Sequence, residues 1–140
     1  MASDNFADRK IISDIIKNSK VIAVVGLSDK PDRPSFSVAS YLKNKGYKII
    51  PVNPTKTEIL GVTSYPDLTS IPEPIDIVDV FRRSDTVDPI VNEAIKIKAK
   101  SVWFQLGVVN IEAARKAADA GLKVVMDRCL LVEHRNLLAG

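Results

Sequence analysis

Five short clusters of small, polar and basic residues interrupt the apolar stretches of this chain, and each has the make-up of a ligand contact. They are Gly26-Leu27-Ser28, Asn53-Pro54-Thr55-Lys56, Phe81-Arg82-Arg83, Gln105-Leu106-Gly107 and Asp127-Arg128-Cys129. A glycine such as Gly26 lets the backbone turn tightly and come close to a ligand. Ser28 and Ser35 offer hydroxyls, and Lys30 and Arg33 offer positive charge. A helix starting near Ser35 would add free N–H groups and the positive end of a dipole. The chemistry these groups share is the binding of a phosphate. Gly26 could equally serve only as a turn and Ser35 only as a helix cap, so this loop alone does not decide the matter.

The spacing narrows the anion. A dinucleotide fingerprint needs G-x-G-x-x-G after the first strand and an acid after the second. Here no glycine follows Gly26 until Gly46, and Asn53 with Lys56 stands where the acid belongs. A lysine there suits a phosphate on the ribose, which leaves NADP or coenzyme A. No G-x-x-x-x-G-K-[ST] loop occurs either. Catalytic groups are sparse. The single histidine, His134, lies beside Glu133 and Arg135 and is expected at the surface or in a capping role. Cys129 reads as a buried small residue, an activated thiol beside Arg128, or a partner in a mixed disulfide with coenzyme A. Asp79 and Asp127 are expected to pair with nearby arginines. One histidine and one cysteine make a poor metal site, and no nucleophile–base–orienter set is visible. A non-catalytic binding protein is expected.

The elements that position these clusters follow from periodicity. Phe6, Ile11, Ile12, Ile15 and Ile16 recur at near-helical spacing over 4–18, with Ser3 or Asp4 available as a cap. VIAVVG at 21–26 is a short apolar run stopped by glycine, the pattern of a buried parallel strand. After a loop punctuated by Pro31 and Pro34, a helix runs from Ser35 to Lys45 and closes at Gly46. Further strands are expected at 47–52, 75–81, 101–105 and 122–127, and helices at 86–99, 110–120 and 129–138. The stretch 55–74, with Gly61, Pro66, Pro72 and Pro74, is looser and could hold a short strand or helical turn. Trp103 lies within a strand and is expected in the core. Strands alternating with helices at this cadence predict an α/β fold, a Rossmann-like, doubly wound parallel sheet of about five strands in three α/β/α layers. Ligands of such sheets lie outside the carboxyl ends of the strands, where all five clusters fall.

Composition agrees. At 140 residues the chain fits one domain, 1–140, with its leading helix in 1–18. Hydrophobic residues make up 46% and charged residues 26%, the balance of a globular protein with a core of aliphatic side chains. A net charge of +3 permits an anionic ligand. The lysines are dispersed and not interleaved with aromatics, so no nucleic acid is expected. No apolar run approaches the ~20 residues that span a bilayer, and Met1 to Asp8 lacks a signal-peptide core, so no membrane partner and a cytoplasmic location are expected.

GLS at 26–28 with Pro31 and Arg33, VNP at 52–54, VDVFR at 78–82, VWFQLGV at 102–108 and DRC at 127–129 resemble the small CoA-binding-domain family. The layout is also similar to the CoA-binding domain of the succinyl-CoA synthetase α subunit, where an Asn-Pro-x-Lys follows the second strand. The resemblance covers about Ser19 to Asn136. It implies that Gly26, Leu27, Ser28, Arg33 and Ser35 line the phosphate side, with Lys30 on the same rim. It implies that Val52, Asn53, Pro54 and Lys56 hold the adenosine and its ribose phosphate, and that Val80, Phe81 and Arg82 cover the adenine or the start of the pantetheine arm. Gln105 and Gly107 would border the outward route of that arm. Coenzyme A or an acyl-CoA is the implied ligand, held by a stand-alone module, a homodimer or one component of a larger acyl-CoA assembly. An NADP or other nucleotide-binding module and a regulatory protein-interaction domain remain as alternatives.

Overall fold

The computed structural model of the protein describes residues 6–139. The proposed caps Ser3 and Asp4 lie outside the described residues. Helix α1 (Arg9–Asn18) starts later, capped by Asp8, whose carboxylate accepts from the N–H groups of Lys10 and Ile11. It buries Ile12, Ile15 and Ile16, the positions three and four apart that the sequence pattern marks.

The rest alternates as expected. Strand β1 (Val21–Val25) leads to α2 (Pro34–Asn44) and β2 (Lys48–Val52). The loose stretch forms a small hairpin of β3 (Glu58–Ile59) and β4 (Val62–Thr63), followed by a 3-10 turn at Leu68–Ser70. Leu60 and Gly61 turn the hairpin with φ of 56° and 71°, both positive, as a type I′ turn requires. Then come β5 (Ile77–Val80), α3 (Asp88–Lys96), β6 (Ser101–Phe104), α4 (Ile111–Asp119), β7 (Lys123–Val125) and α5 (Leu130–Ala139). The expected helix at 86–99 is shorter than its pattern, because residues 84–86 form a separate 3-10 turn.

The main sheet has five parallel strands in the order β2-β1-β5-β6-β7. Counting only its own strands, that order is 2-1-3-4-5, one of the two common doubly wound arrangements. Because side chains alternate across a strand, each strand feeds two cores. Ala23, Val25, Val78, Val80, Val102 and Phe104 pack beneath α3 and α4. Ile22, Val24, Ile77 and Trp103 pack beneath α1, α2 and α5. Trp103 is fully buried, and its indole N–H donates to the carbonyl of Arg128 at 2.8 Å. No helix among the described residues is long and apolar enough to cross a membrane.

Three helices end in the same way. After α2, α3 and α4, the residues Gly46, Lys98 and Gly121 take φ of 99°, 57° and 95° and donate back to Lys43, Ile95 and Ala118. The next residues donate to Leu42, Ala94 and Ala117, which completes a Schellman motif at each end. Only Lys98 lacks the glycine that the sequence reading uses to mark such an end.

Candidate functional site

The direction of strand order reverses between β1 and β5, so the loops leaving these two strands part and open a crevice. A cavity of about 710 Å³ lies there. Its first wall is the loop after β1. Gly26 has φ of 87° and donates its N–H to the Val52 carbonyl at 3.0 Å, which turns the chain sharply at the strand end. A Cβ at this position would stand 2.2 Å from the Phe81 carbonyl oxygen, so the two strand ends approach as closely as glycine permits.

Ser35 does not cap α2, as the sequence reading allows. Arg33 is the N-cap, with no side-chain hydrogen bond, and Pro34 opens the first turn. The Ser35 hydroxyl instead accepts from the Ser28 N–H at 3.0 Å, and the Ser28 hydroxyl accepts from the Lys30 N–H at 3.1 Å. Both oxygens act as acceptors here, which leaves each hydroxyl proton to donate toward an anion. Lys30, Arg33, Phe81, Arg82 and Gln105 complete the set of predicted residues that the cavity gathers with Gly26, Ser28 and Ser35. Among the described residues Lys30, Arg33 and Arg82 form no ion pair, whereas Arg83 reaches Asp85 at 3.5 Å.

The other predicted residues stand outside the lining. Leu27, Val52 and Val80 are buried in the two cores. Asn53 is a brace: its amide donates to the Leu27 carbonyl at 3.0 Å, and its oxygen accepts from the N–H and hydroxyl of Thr55. Pro54 is exposed beside it. The Lys56 ammonium lies 3.1 Å from the Asp29 carboxylate, and this hydrogen bond and charge hold Asp29 below the usual carboxylate range. Gly107 is exposed, and its N–H donates to the Asp127 carboxylate at 2.8 Å. Val38 and Val108 line the cavity without having been picked out, and Leu106, named within a strand-end cluster but given no role, lines it too. Val38 lies one turn along α2 from Ser35, so helical spacing from a suspected site residue was the missed signal.

Cys129 is half-buried and also faces the cavity. Three expectations about titratable groups are corrected. Among the described residues Asp127 pairs with no arginine through its carboxylate; Arg128 reaches its backbone carbonyl instead. Asp79 is fully buried, and neither carboxylate oxygen has a partner among the described residues. His134 is buried, not at the surface: its Nδ1 lies 2.8 Å from the Tyr41 hydroxyl, with Tyr41 and Tyr47 edge-on to its ring. Glu133 beside it is buried in a pair with Arg9 at 2.7 Å.

Burial, and then the charge of Lys45, push the His134 pKa below its ordinary value of 6.5. The unfolded chain therefore takes up this proton first, and stability declines as pH falls from 6.5 through the depressed folded value. Between pH 7 and 5 the urea midpoint of the parent protein is therefore expected to shift downward relative to that of His134→Gln, which cannot titrate at this position. A difference between the two that stays constant over this range would show that His134 contributes nothing to the pH dependence.

Fold and cavity define the class: a Rossmann-like α/β domain with a cationic cavity at its topological switch point. Residues 20–135 match the model of a CoA binding domain, and the chain belongs to that family. It is 47% identical over 123 residues to the protein YneT of Bacillus subtilis, covering 88% of this chain and 91% of that one. A solved structure of a hypothetical protein from Pyrococcus horikoshii superposes with a TM-score of 0.91 at 41% identity, covering 99% of this chain and 96% of the other. The 4-hydroxybutyrate–CoA ligase (ADP-forming) of Nitrosopumilus maritimus is 30% identical over 106 residues. That match takes in 74% of this chain but only 14% of the ligase.

Proposed function

We propose that this protein binds coenzyme A, or an acyl-CoA, by its nucleotide and phosphate groups in the cavity between β1 and β5, and that it does so without catalysing a reaction. The observation that carries the reading is the rim of Lys30, Arg33 and Arg82. These three cations share one cavity at the switch point, beside an α2 N-terminus that no side chain caps. An anion bridging them gains charge-assisted hydrogen bonds that none could supply alone. Family membership and the ligase relative support coenzyme A as that anion. A binding role fits the placement of the histidine, since His134 on α5 is committed to Tyr41 and does not line the cavity.

Calorimetric titration with CoA, with NADPH alongside, tests the reading. Saturable CoA binding tighter than NADPH is expected; absence of CoA binding, after exclusion of co-purified ligand, overturns it. Lys56 is assigned to the ribose phosphate, which would displace Asp29 as its partner. An exposed contact of this kind contributes up to ~1 kcal/mol, so Lys56→Ala should weaken CoA by about two- to fivefold. Dephospho-CoA should be affected less. Equal losses for the two ligands would remove Lys56 from that role.

A further inference from the structure

The cavity is not uniform from end to end. Its cations stand on the loops after β1 and β5, while the end over β6 and β7 presents Leu106, Val108 and the Cys129 thiol. Two acceptors at this end are already engaged. The Gln105 side-chain oxygen accepts from the Leu130 N–H at 3.1 Å, and the Asp127 carboxylate accepts from Gly107. Leu106 and Val108 are the apolar surface that this end presents.

Leu106 is 68% exposed at the cavity mouth, and its exposure is built in. The Val108 N–H donates to the Gln105 carbonyl at 2.8 Å, the Val109 N–H to the Ser84 hydroxyl at 2.9 Å, and the Asn110 amide to the Ser84 carbonyl at 3.0 Å. Asp127, which holds Gly107, has φ of 61°, a conformation that non-glycine residues adopt only when their surroundings impose it. Val109 and Ile111 follow at 44% and 39% exposure. Three of the five exposed large hydrophobic residues described thus fall within six positions, two on this braced loop and one at the start of α4, and Leu106 among them lines the cavity.

We infer that this loop is a subsite for the acyl group of a thioester, and that the protein prefers acyl-CoA with an extended acyl chain to free CoA. The inference rests on the proposed binding of CoA and adds to it a substrate class. Anion recognition over β1 and β5 and apolar contact over β6 together match a molecule that is anionic at one end and aliphatic at the other. A polar acyl group or a bare thiol would leave Leu106 in water.

The test is titration with CoA, acetyl-CoA, butyryl-CoA and octanoyl-CoA, in the parent protein and in Leu106→Ser and Leu106→Met. Each methylene fully removed from water is worth about fourfold in affinity, and an open rim captures part of that. Affinity should therefore rise at least about tenfold from acetyl-CoA to octanoyl-CoA. The slope against chain length should persist in Leu106→Met and flatten in Leu106→Ser; a uniform loss of affinity is not the readout. CoA binding with no dependence on acyl length would overturn the subsite and leave the CoA reading standing. Failure of every CoA species to bind would remove both. Sedimentation of the ligand-free protein covers the remaining occupant. A dimer that Leu106→Ser dissociates, together with a flat acyl series, would assign the patch to a second copy of the chain.

Discussion

Gly26→Ala is expected to destabilise the domain by about 2–5 kcal/mol and to abolish the proposed CoA binding in whatever protein still folds. Two separable effects add at this position. The first is conformational: φ of 87° lies in the region that glycine adopts freely and alanine does not, a penalty of about 1–2 kcal/mol. The second is contact. The new Cβ would stand 2.2 Å from the Phe81 carbonyl oxygen and 3.1 Å from its carbonyl carbon. That neighbour is backbone at the end of a central strand, so relief requires β1 and β5 to part, at a further cost of about 1–3 kcal/mol. At roughly 3–4 °C per kcal/mol for a chain of this length, the melting temperature should fall by about 6–20 °C. The movement also displaces Phe81 and Arg82, whose Nε would lie 3.4 Å from the added carbon. Gly107→Ala supplies the control, because Gly107 has the same φ of 87° but no atom within 4 Å of its would-be Cβ. It should lose only the conformational part, about 1–2 kcal/mol. Equal losses in the two variants, measured by urea denaturation, would show that the close approach at the switch point contributes nothing.

Much of this architecture was readable before any coordinates, and the reason is physical. A parallel strand buried on both faces must be apolar throughout, so VIAVV at 21–25 and the strands after it announce themselves by composition. Glycine marks the ends of α2 and α4 because a Schellman turn favours it, while Lys98 hides the same turn after α3. The hairpin at 58–63 was legible only as a loose stretch, since Leu60 holds a turn position that a sequence signal would give to Asn or Gly. The site divides similarly. Residues at strand ends could be anticipated because the fold sends every such end to one edge. Which of them face the cavity could not, because that depends on contacts between elements distant in sequence. Asn53 is polar and follows a strand, as a ligand contact would, yet its amide ties β2 to the loop after β1. His134 looked exposed between Glu133 and Arg135 because the tyrosines that enclose it come from residues 41 and 47. Asp79 was the least legible of all: an acid inside an apolar strand suggests a partner, and the described residues provide none.

Replacing Asp79 should therefore stabilise the protein, which few core substitutions do. In register Asp79 lies between Val24 of β1 and Trp103 of β6. Alternation puts it on the face covered by α1, α2 and α5, opposite to Val78 and Val80. The polar groups beneath those helices are taken: Glu133 by Arg9, His134 by Tyr41, and the Tyr47 hydroxyl by the Ile16 carbonyl. Burial accordingly pushes the Asp79 carboxyl well above its ordinary value of 3.8. The pH dependence follows from that direction. Below about pH 3.8 the carboxyl is protonated in both folded and unfolded chains, and its titration adds no penalty. As pH rises, the unfolded chain releases the proton first, and stability falls by about 1.4 kcal/mol per pH unit until the folded group also ionises. A second penalty is present at every pH, because even the neutral acid is a buried polar group without a hydrogen bond, worth about 1–3 kcal/mol. Asp79→Asn removes the first penalty and keeps the second, so its gain over the parent protein should grow from pH 4 to pH 7. Asp79→Val removes both and suits a buried strand, with an expected gain of about 1–3 kcal/mol at pH 4 and a larger gain at pH 7. Thermal and urea unfolding at the two pH values read these differences directly. If Asp79→Val loses stability, or if Asp79→Asn shifts it equally at both pH values, the carboxyl has a partner in solution and the core at β5 is not the strained site described.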